Sequence, residues 1–172
     1  MLRRPAVLGT ALALAVTFSA LAFHQLGWTG RAWALVPLLV ILAAVVVVDL
    51  WTRIIPDELT LSGLVYALVL SASQGWSFLV QAIAGALAAG GVVLVLAVVT
   101  RGGIGGGDIK LMAMLGAALG WKAALIVLAL SQMLPALVVL AVMLVRRRRV
   151  RGHLAVGAVM AILGALALTA AR

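Results

Sequence analysis

Apolar residues fall into seven long runs that short polar or glycine-rich segments separate. The runs cover about residues 6–27, 32–49, 59–73, 77–99, 109–120, 121–145 and 154–171. A helix needs about 20 apolar residues to cross the hydrocarbon core of a bilayer, and most of these runs approach that length. The alternation typical of barrel strands does not occur, and lipid cannot satisfy the backbone of an open sheet. The pattern predicts an all-α fold, a polytopic transmembrane bundle of about six to seven helices.

The fifth run, at about residues 109–120, is too short to cross a bilayer alone. We expect it to begin inside the membrane boundary or to be buried against its neighbours, because irregular backbone is tolerated at membrane depth only where protein or water covers it. Small residues also recur four positions apart, as Gly85 with Ala89 and Gly116 with Gly120. This spacing would let helices approach one another closely.

The N-terminal stretch "MLRRPAVLGTALALAVTFSALAF" combines a basic start with an apolar run and an "ALA" tripeptide. These features are typical of a secretory signal peptide, but the apolar run is long for one. We expect an uncleaved transmembrane helix within residues 1–31 that could serve as a signal anchor. Residues 32–172 would then form the main membrane domain.

Composition supports the membrane class. Hydrophobic residues make up 66% of the chain and charged residues only 10%, whereas soluble domains carry about a quarter charged residues. Cysteine is absent, which excludes disulfides, cysteine-ligated zinc and thiol nucleophiles. The net charge of +9 would suggest nucleic acid as a partner if the cations formed one surface.

The cations instead lie in the short segments between the apolar runs. If every run crosses the membrane, ten Lys or Arg fall on one side and three on the other. The ten are Arg3, Arg4, Arg53, Arg101, Lys110, Arg146, Arg147, Arg148, Arg149 and Arg151. The positive-inside rule places that side in the cytoplasm. We interpret "RRRRVR" as a topology anchor rather than a nucleic-acid or anionic-lipid patch, and expect no nucleic-acid partner.

The four acidic residues of the chain are Asp49, Asp57, Glu58 and Asp108. Asp49 ends an apolar run, and Asp108 follows "RGGIGGG", so both are expected at helix ends on the predicted cytoplasmic side. An ionised Asp at the bilayer centre costs about 2.5–3.5 kcal/mol, so such residues usually face a cavity or a partner. Two neighbouring carboxyls share a proton, and this pair performs the acid and base steps of aspartic proteases.

The remaining polar residues suggest no other catalytic set. His24 and His153 lie far apart in the chain and have no acid beside them, so we expect neither a serine triad nor a metal site, and no cofactor. The glycines before Asp108 would allow close approach of a substrate backbone, or they form only a flexible loop. Pro56 followed by Asp57 and Glu58 predicts a turn and the start of a helix.

The stretches "DLWTRIIPDELTL" and "GGGDIKLMAMLGAALGW" together resemble the type IV prepilin peptidases, which are GxGD-type intramembrane aspartyl proteases. The resemblance covers about residues 32–160. It implies Asp49 and Asp108 as the catalytic pair. It also implies a supporting or substrate-binding role for residues of the same two motifs, namely Pro56, Asp57, Gly105, Gly107 and Lys110.

This resemblance implies a membrane-embedded aspartic endopeptidase in the cytoplasmic (inner) membrane of a prokaryote, with its site facing the cytoplasm. Its substrates would be prepilins or pseudopilins, cut after a Gly that ends a basic leader. Larger relatives carry a cytoplasmic domain with cysteine pairs and also methylate the product. The chain has neither such an insert nor a cysteine, so we expect peptidase activity without methyl transfer. The short form resembles the peptidases of Tad (Flp) pili or of compact competence and secretion systems, and the sequence does not choose among them.

Two other functions are compatible with the residues. The chain could be a membrane scaffold or assembly subunit whose acids pair with Arg53, Arg101 or Lys110 to fix helix packing. It could also be a cation or proton transporter, although both Asp49 and Asp108 fall at one face instead of along a path. The sequence leaves the oligomeric state open.

Overall fold

The computed structural model describes residues 4–101, 104–146 and 156–170, and these form seven helices and no strand. The helices are α1 (Arg4–Leu26), α2 (Gly30–Thr52), α3 (Asp57–Gln74), α4 (Trp76–Val99), α5 (Gly106–Leu119), α6 (Trp121–Arg146) and α7 (Val156–Ala170). The predicted all-α bundle of about seven helices is confirmed. Most of the basic segment, from Arg147 to His153, lies outside the described residues.

Local sequence explains where several helices begin and end. The Thr29 hydroxyl accepts a hydrogen bond from the Ala32 N–H at 3.4 Å and caps α2. Arg53 ends α2 in the left-handed conformation, with φ of 55°, and its N–H donates to the Asp49 carbonyl at 2.8 Å. Pro56 has extended backbone and immediately precedes α3, which agrees with the predicted turn and helix start. These features place Asp49 in the last turn of α2.

Helices α2 to α5 run in alternating directions, since the start of α2, the end of α3, the start of α4 and the end of α5 lie together at one end of the bundle. Helices α4 and α5 pack closely where Gly85 faces Gly116. A Cβ on either glycine would collide with the backbone carbonyl of the other, and a Cβ on Gly116 would lie 2.8 Å from the Cβ of Ala89. The small residues recognised in the sequence therefore bring these two helices into contact.

The core lies between α2, α5 and α7. Its largest fully buried side chains include Leu38, Leu39, Leu42, Leu111, Met112, Met114, Leu115 and Met160. The short α5 packs against α3, α4, α6 and α7, as expected for the run that cannot cross a bilayer alone. Three helical segments in the described part are long and apolar enough to span a membrane: Val7–Leu26, Gly30–Thr52 and Trp76–Val99.

Candidate catalytic site

Asp49 and Asp108 open into one cavity of about 650 Å³ at one end of the bundle. The end of α2 and the segment after it form one wall, and the glycine segment before α5 forms another. The first residues of α7 complete the cavity. Its lining residues are Asp49, Arg53, Ile54, Ile55, Gly105, Gly106, Gly107, Asp108, Val156 and Gly157. Two carboxyls from separate sequence motifs thus share one cavity.

Asp49 is almost fully buried, with 5% of its surface exposed. Its Oδ2 atom accepts a hydrogen bond of 2.7 Å from the backbone N–H of Ala158, the third residue of α7. The first N–H groups of a helix have no partner within the helix, so they are available to an anionic side chain. The start of α7 therefore holds the carboxyl of Asp49 in place.

Gly157 makes this contact between α7 and Asp49 possible. A Cβ on Gly157 would lie 3.1 Å from Asp49 Oδ2 and 2.6 Å from Ile55 Cδ1. No sequence pattern predicted a role for Gly157 or Ala158. The available signal was a glycine at the start of the last apolar run, and such a glycine has many structural explanations.

Asp108 lies in the first turn of α5 and is half-buried. Its pKa is raised to about 6, first because burial disfavours the charged carboxylate and second because of the negative charge of Asp49. A hydrogen bond with the Gly105 backbone opposes part of this rise. Asp108 therefore holds a proton at a higher pH than an ordinary Asp does. The negative charge of Asp49 contributes to this rise in the Asp108 pKa.

The glycines of the second motif border the cavity. Gly105 precedes α5 and lines the space next to Asp108, as does Gly107. A Cβ on Gly107 would lie 2.8 Å from the Cβ of Ile55, so only glycine lets the start of α5 pack this closely on the segment after α2. The absence of side chains leaves backbone exposed beside the carboxyls.

Lys110, Asp57 and Pro56 lie beside the cavity and do not line it. The Lys110 ammonium forms an ion pair of 2.5 Å with Asp57 Oδ2, which joins the first turn of α5 to the first turn of α3. It is the only ion pair within the described ranges. Both side chains are about half exposed, at 42% and 56%, so the pair stabilises the fold weakly. Its position suits it to orient the segment that carries Asp108.

The arrangement places two carboxyls, Asp49 and Asp108, in one cavity, where one could donate a proton and the other accept one. Two coupled carboxyls titrate as a pair, in which one is protonated while the other is ionised. That state suits general acid and base catalysis. In the described part of the chain, no group of three or more His, Cys, Asp or Glu side chains could hold a metal ion.

Comparison with known proteins matches the region that contains both carboxyls. A sequence model of the type IV leader peptidase family matches residues 36–141. The chain is 35% identical over 133 residues to a prepilin leader peptidase/N-methyltransferase of Aeromonas hydrophila, covering 74% of this chain and 46% of that protein. It is 33% identical over 147 residues to the protein of the same name from Pseudomonas putida, covering 83% and 51%.

A shorter match, 39% identical over 97 residues, links the chain to another prepilin leader peptidase/N-methyltransferase, from Pectobacterium carotovorum subsp. carotovorum. It covers 53% of this chain and 34% of that protein. The chain spans about half the length of the Aeromonas and Pseudomonas relatives. No solved structure matches it. The family match extends over more than half of the chain and includes Asp49 and Asp108, and we conclude that the chain belongs to the type IV leader peptidase family.

Proposed function

We propose that this protein is a membrane-embedded aspartic endopeptidase that removes the leader peptide from type IV prepilins or pseudopilins. The observation that carries the proposal is the shared cavity of Asp49 and Asp108, which belong to different helices and different motifs. Membership of the leader peptidase family supports the substrate class. Each residue of the pair then has a separate chemical role.

In the proposed reaction, Asp108 is the protonated partner and Asp49 the ionised one. Asp49 removes a proton from a water molecule, which attacks the scissile carbonyl, while Asp108 donates a hydrogen bond to the carbonyl oxygen. The tetrahedral intermediate collapses as the C–N bond breaks and the new amine takes the proton from Asp49, which returns the pair to its singly protonated state. The raised pKa of Asp108, about 6, supports its assignment as the partner that keeps its proton up to that pH.

The substrate backbone would pass along residues 105–107, because three consecutive glycines leave room for an extended chain next to Asp108. We propose cleavage after a Gly at the end of a basic leader, as the resemblance to prepilin peptidases implies. A residue without a side chain at that position would let the scissile carbonyl approach the two carboxyls closely.

We also propose that the bundle lies in the cytoplasmic membrane of a prokaryote with the catalytic cavity facing the cytoplasm. Three helical segments of spanning length support the membrane location. The ten Lys and Arg on the side of Asp49 and Asp108, against three on the other side, support the orientation. A cysteine accessibility assay on Glu58→Cys and Gln74→Cys tests it. Only the first should react with an impermeant reagent added from the cytoplasmic side.

Coexpression of a prepilin from the same genome tests the activity. Wild type should convert it to the shorter mature form, whereas Asp49→Asn and Asp108→Asn should abolish conversion because each removes one proton-transfer group. Glu58→Gln is the matched control, since it makes the same change at an exposed carboxyl outside the cavity. Normal processing by either Asp variant would contradict the assignment of the pair.

We propose peptidase activity without methyl transfer, and mass spectrometry of the new N-terminus tests this point. An added methyl group that depends on the wild-type protein would overturn it. The scaffold alternative explains the ion pair between Asp57 and Lys110, but it does not explain a buried Asp49 beside a half-buried Asp108. A wild type that cleaves no prepilin of its genome would favour the scaffold.

A further inference from the structure

A second cavity, of about 600 Å³, lies at the end of the bundle opposite to the catalytic pair. The start of α2, the end of α3, the start of α4 and the end of α5 surround it. Arg31 and Asp49 are 18 residues apart on α2, which corresponds to about 27 Å along the helix axis. The second cavity is therefore separate from the catalytic site.

The lining of this cavity is amphiphilic. Arg31 is its only charged residue, and Ser71, Gln74 and Gln81 are its polar uncharged side chains. The rest of the lining is apolar, and within it Leu38 is buried, Leu70 is half-buried and Phe78 is 49% exposed. The lining thus combines one guanidinium and amide donors with apolar side chains, and it contains no carboxylate. This combination is complementary to a ligand that has an anionic head and an apolar tail.

Tryptophan side chains mark the depth of the cavity relative to a membrane. Trp28, Trp33, Trp76 and Trp121 lie at or next to the helix starts at this end and are 80%, 57%, 77% and 49% exposed. Exposed tryptophans concentrate where the hydrocarbon core meets the headgroups. The four residues therefore place the mouth of the cavity at the level of lipid headgroups.

We propose that this cavity binds the phosphate headgroup of an anionic phospholipid from the leaflet opposite to the catalytic pair. Arg31 holds the phosphate, and the amides of Gln81 and Gln74 donate hydrogen bonds to the headgroup, Gln74 through the N–H that it does not give to the Leu70 carbonyl. One acyl chain packs along Leu70 and Phe78. A bound lipid would bridge α2, α3 and α4. The inference rests on the proposed membrane location and is independent of the peptidase reaction.

Native mass spectrometry of the full chain, released from mixed-lipid nanodiscs, tests the proposal. Wild type should retain phosphatidylglycerol in preference to phosphatidylethanolamine. Arg31→Gln should reduce retention about tenfold, the loss expected for a charge-assisted hydrogen bond. Gln74→Glu should also reduce it, because a carboxylate at the mouth repels phosphate. Lys122→Gln is the matched control, since Lys122 is a cation at the same end that does not line the cavity.

Unchanged retention by Arg31→Gln, or an equal loss in Lys122→Gln, would overturn the assignment of the headgroup to Arg31. Equal retention of the two lipids would show an apolar groove without charge selection. Binding of inorganic phosphate by the lipid-free chain would identify a phosphate site and refute the lipid assignment. Extraction of the chain from membranes by carbonate would instead refute the membrane location, and prepilin processing reports separately on the peptidase.

Discussion

The contact between α7 and Asp49 yields a specific prediction for Gly157→Ala. The new methyl carbon would lie 3.1 Å from Asp49 Oδ2 and 2.6 Å from Ile55 Cδ1. Ile55 Cδ1 is the end of a flexible side chain and can move away, but the buried carboxyl has little room. Asp49 or the start of α7 must shift by a few tenths of an ångström, which lengthens the hydrogen bond of 2.7 Å from Ala158.

The expected effect on catalysis follows from that hydrogen bond. A hydrogen bond to a charged group contributes about 1.5–3 kcal/mol, and each 1.36 kcal/mol changes a rate about tenfold. We therefore expect Gly157→Ala to lower kcat/KM for prepilin cleavage by about ten- to a hundredfold. Helix propensity acts in the opposite direction, since Ala favours a helix over Gly by about 0.5–1 kcal/mol.

Gly164→Ala is the matched control on the same helix. A Cβ there would lie 2.5 Å from Leu115 Cδ2, so it also crowds α7 against a neighbour, but away from the catalytic cavity. Ala158→Pro provides a second test, because proline lacks the N–H that donates the hydrogen bond to Asp49 Oδ2. Proline is tolerated in the first turn of a helix.

The assay is the initial rate of prepilin cleavage in membranes, normalised to the amount of folded enzyme. Wild-type rates for both Gly157→Ala and Ala158→Pro would refute a positioning role for the start of α7. An equal loss in Gly157→Ala and Gly164→Ala would show that overpacking of α7 alone accounts for the effect.

The charged groups of the site lead to three further predictions. The pKa of Asp108 is raised from 3.8 to about 6. The cleavage rate should therefore fall as pH rises through about 6, because Asp108 loses its proton there. A rate that is flat from pH 5 to 8 would contradict its role as the proton donor. A raised carboxyl pKa also means that stability falls as pH rises from 3.8 to about 6, so Asp108→Asn should raise the Tm at pH 8 and leave it unchanged at pH 3.5. Lys110→Glu should lower cleavage several-fold while destabilising the fold by only about 1 kcal/mol, as expected for an exposed ion pair. Combination with Asp57→Lys should restore the rate, and no recovery in the double variant would exclude the ion pair as the cause.

Sequence patterns predicted the helices because the signal for them is local. Seven apolar runs match α1 to α7, since a run of apolar residues near the length of a membrane span has few structural alternatives. Asp49 and Asp108 were also predictable from local sequence, because the chain has few acids and these two lie next to apolar runs. Placing a carboxyl there costs free energy, so it usually has a function. The burial of the short α5 also followed from its length alone.

The supporting contacts of the site were decided by the tertiary structure. The hydrogen bond from Ala158 to Asp49 joins residues 109 positions apart, and neither Ala158 nor Gly157 differs visibly from other small residues of an apolar helix. The ion pair of Lys110 with Asp57 likewise depends on how α3 and α5 pack. The sequence by itself determined which residues could carry the chemistry, because charge and hydrophobic length are properties of the residues themselves. Only the tertiary structure determined which backbone group holds Asp49, because that contact exists only once α2 and α7 are packed together.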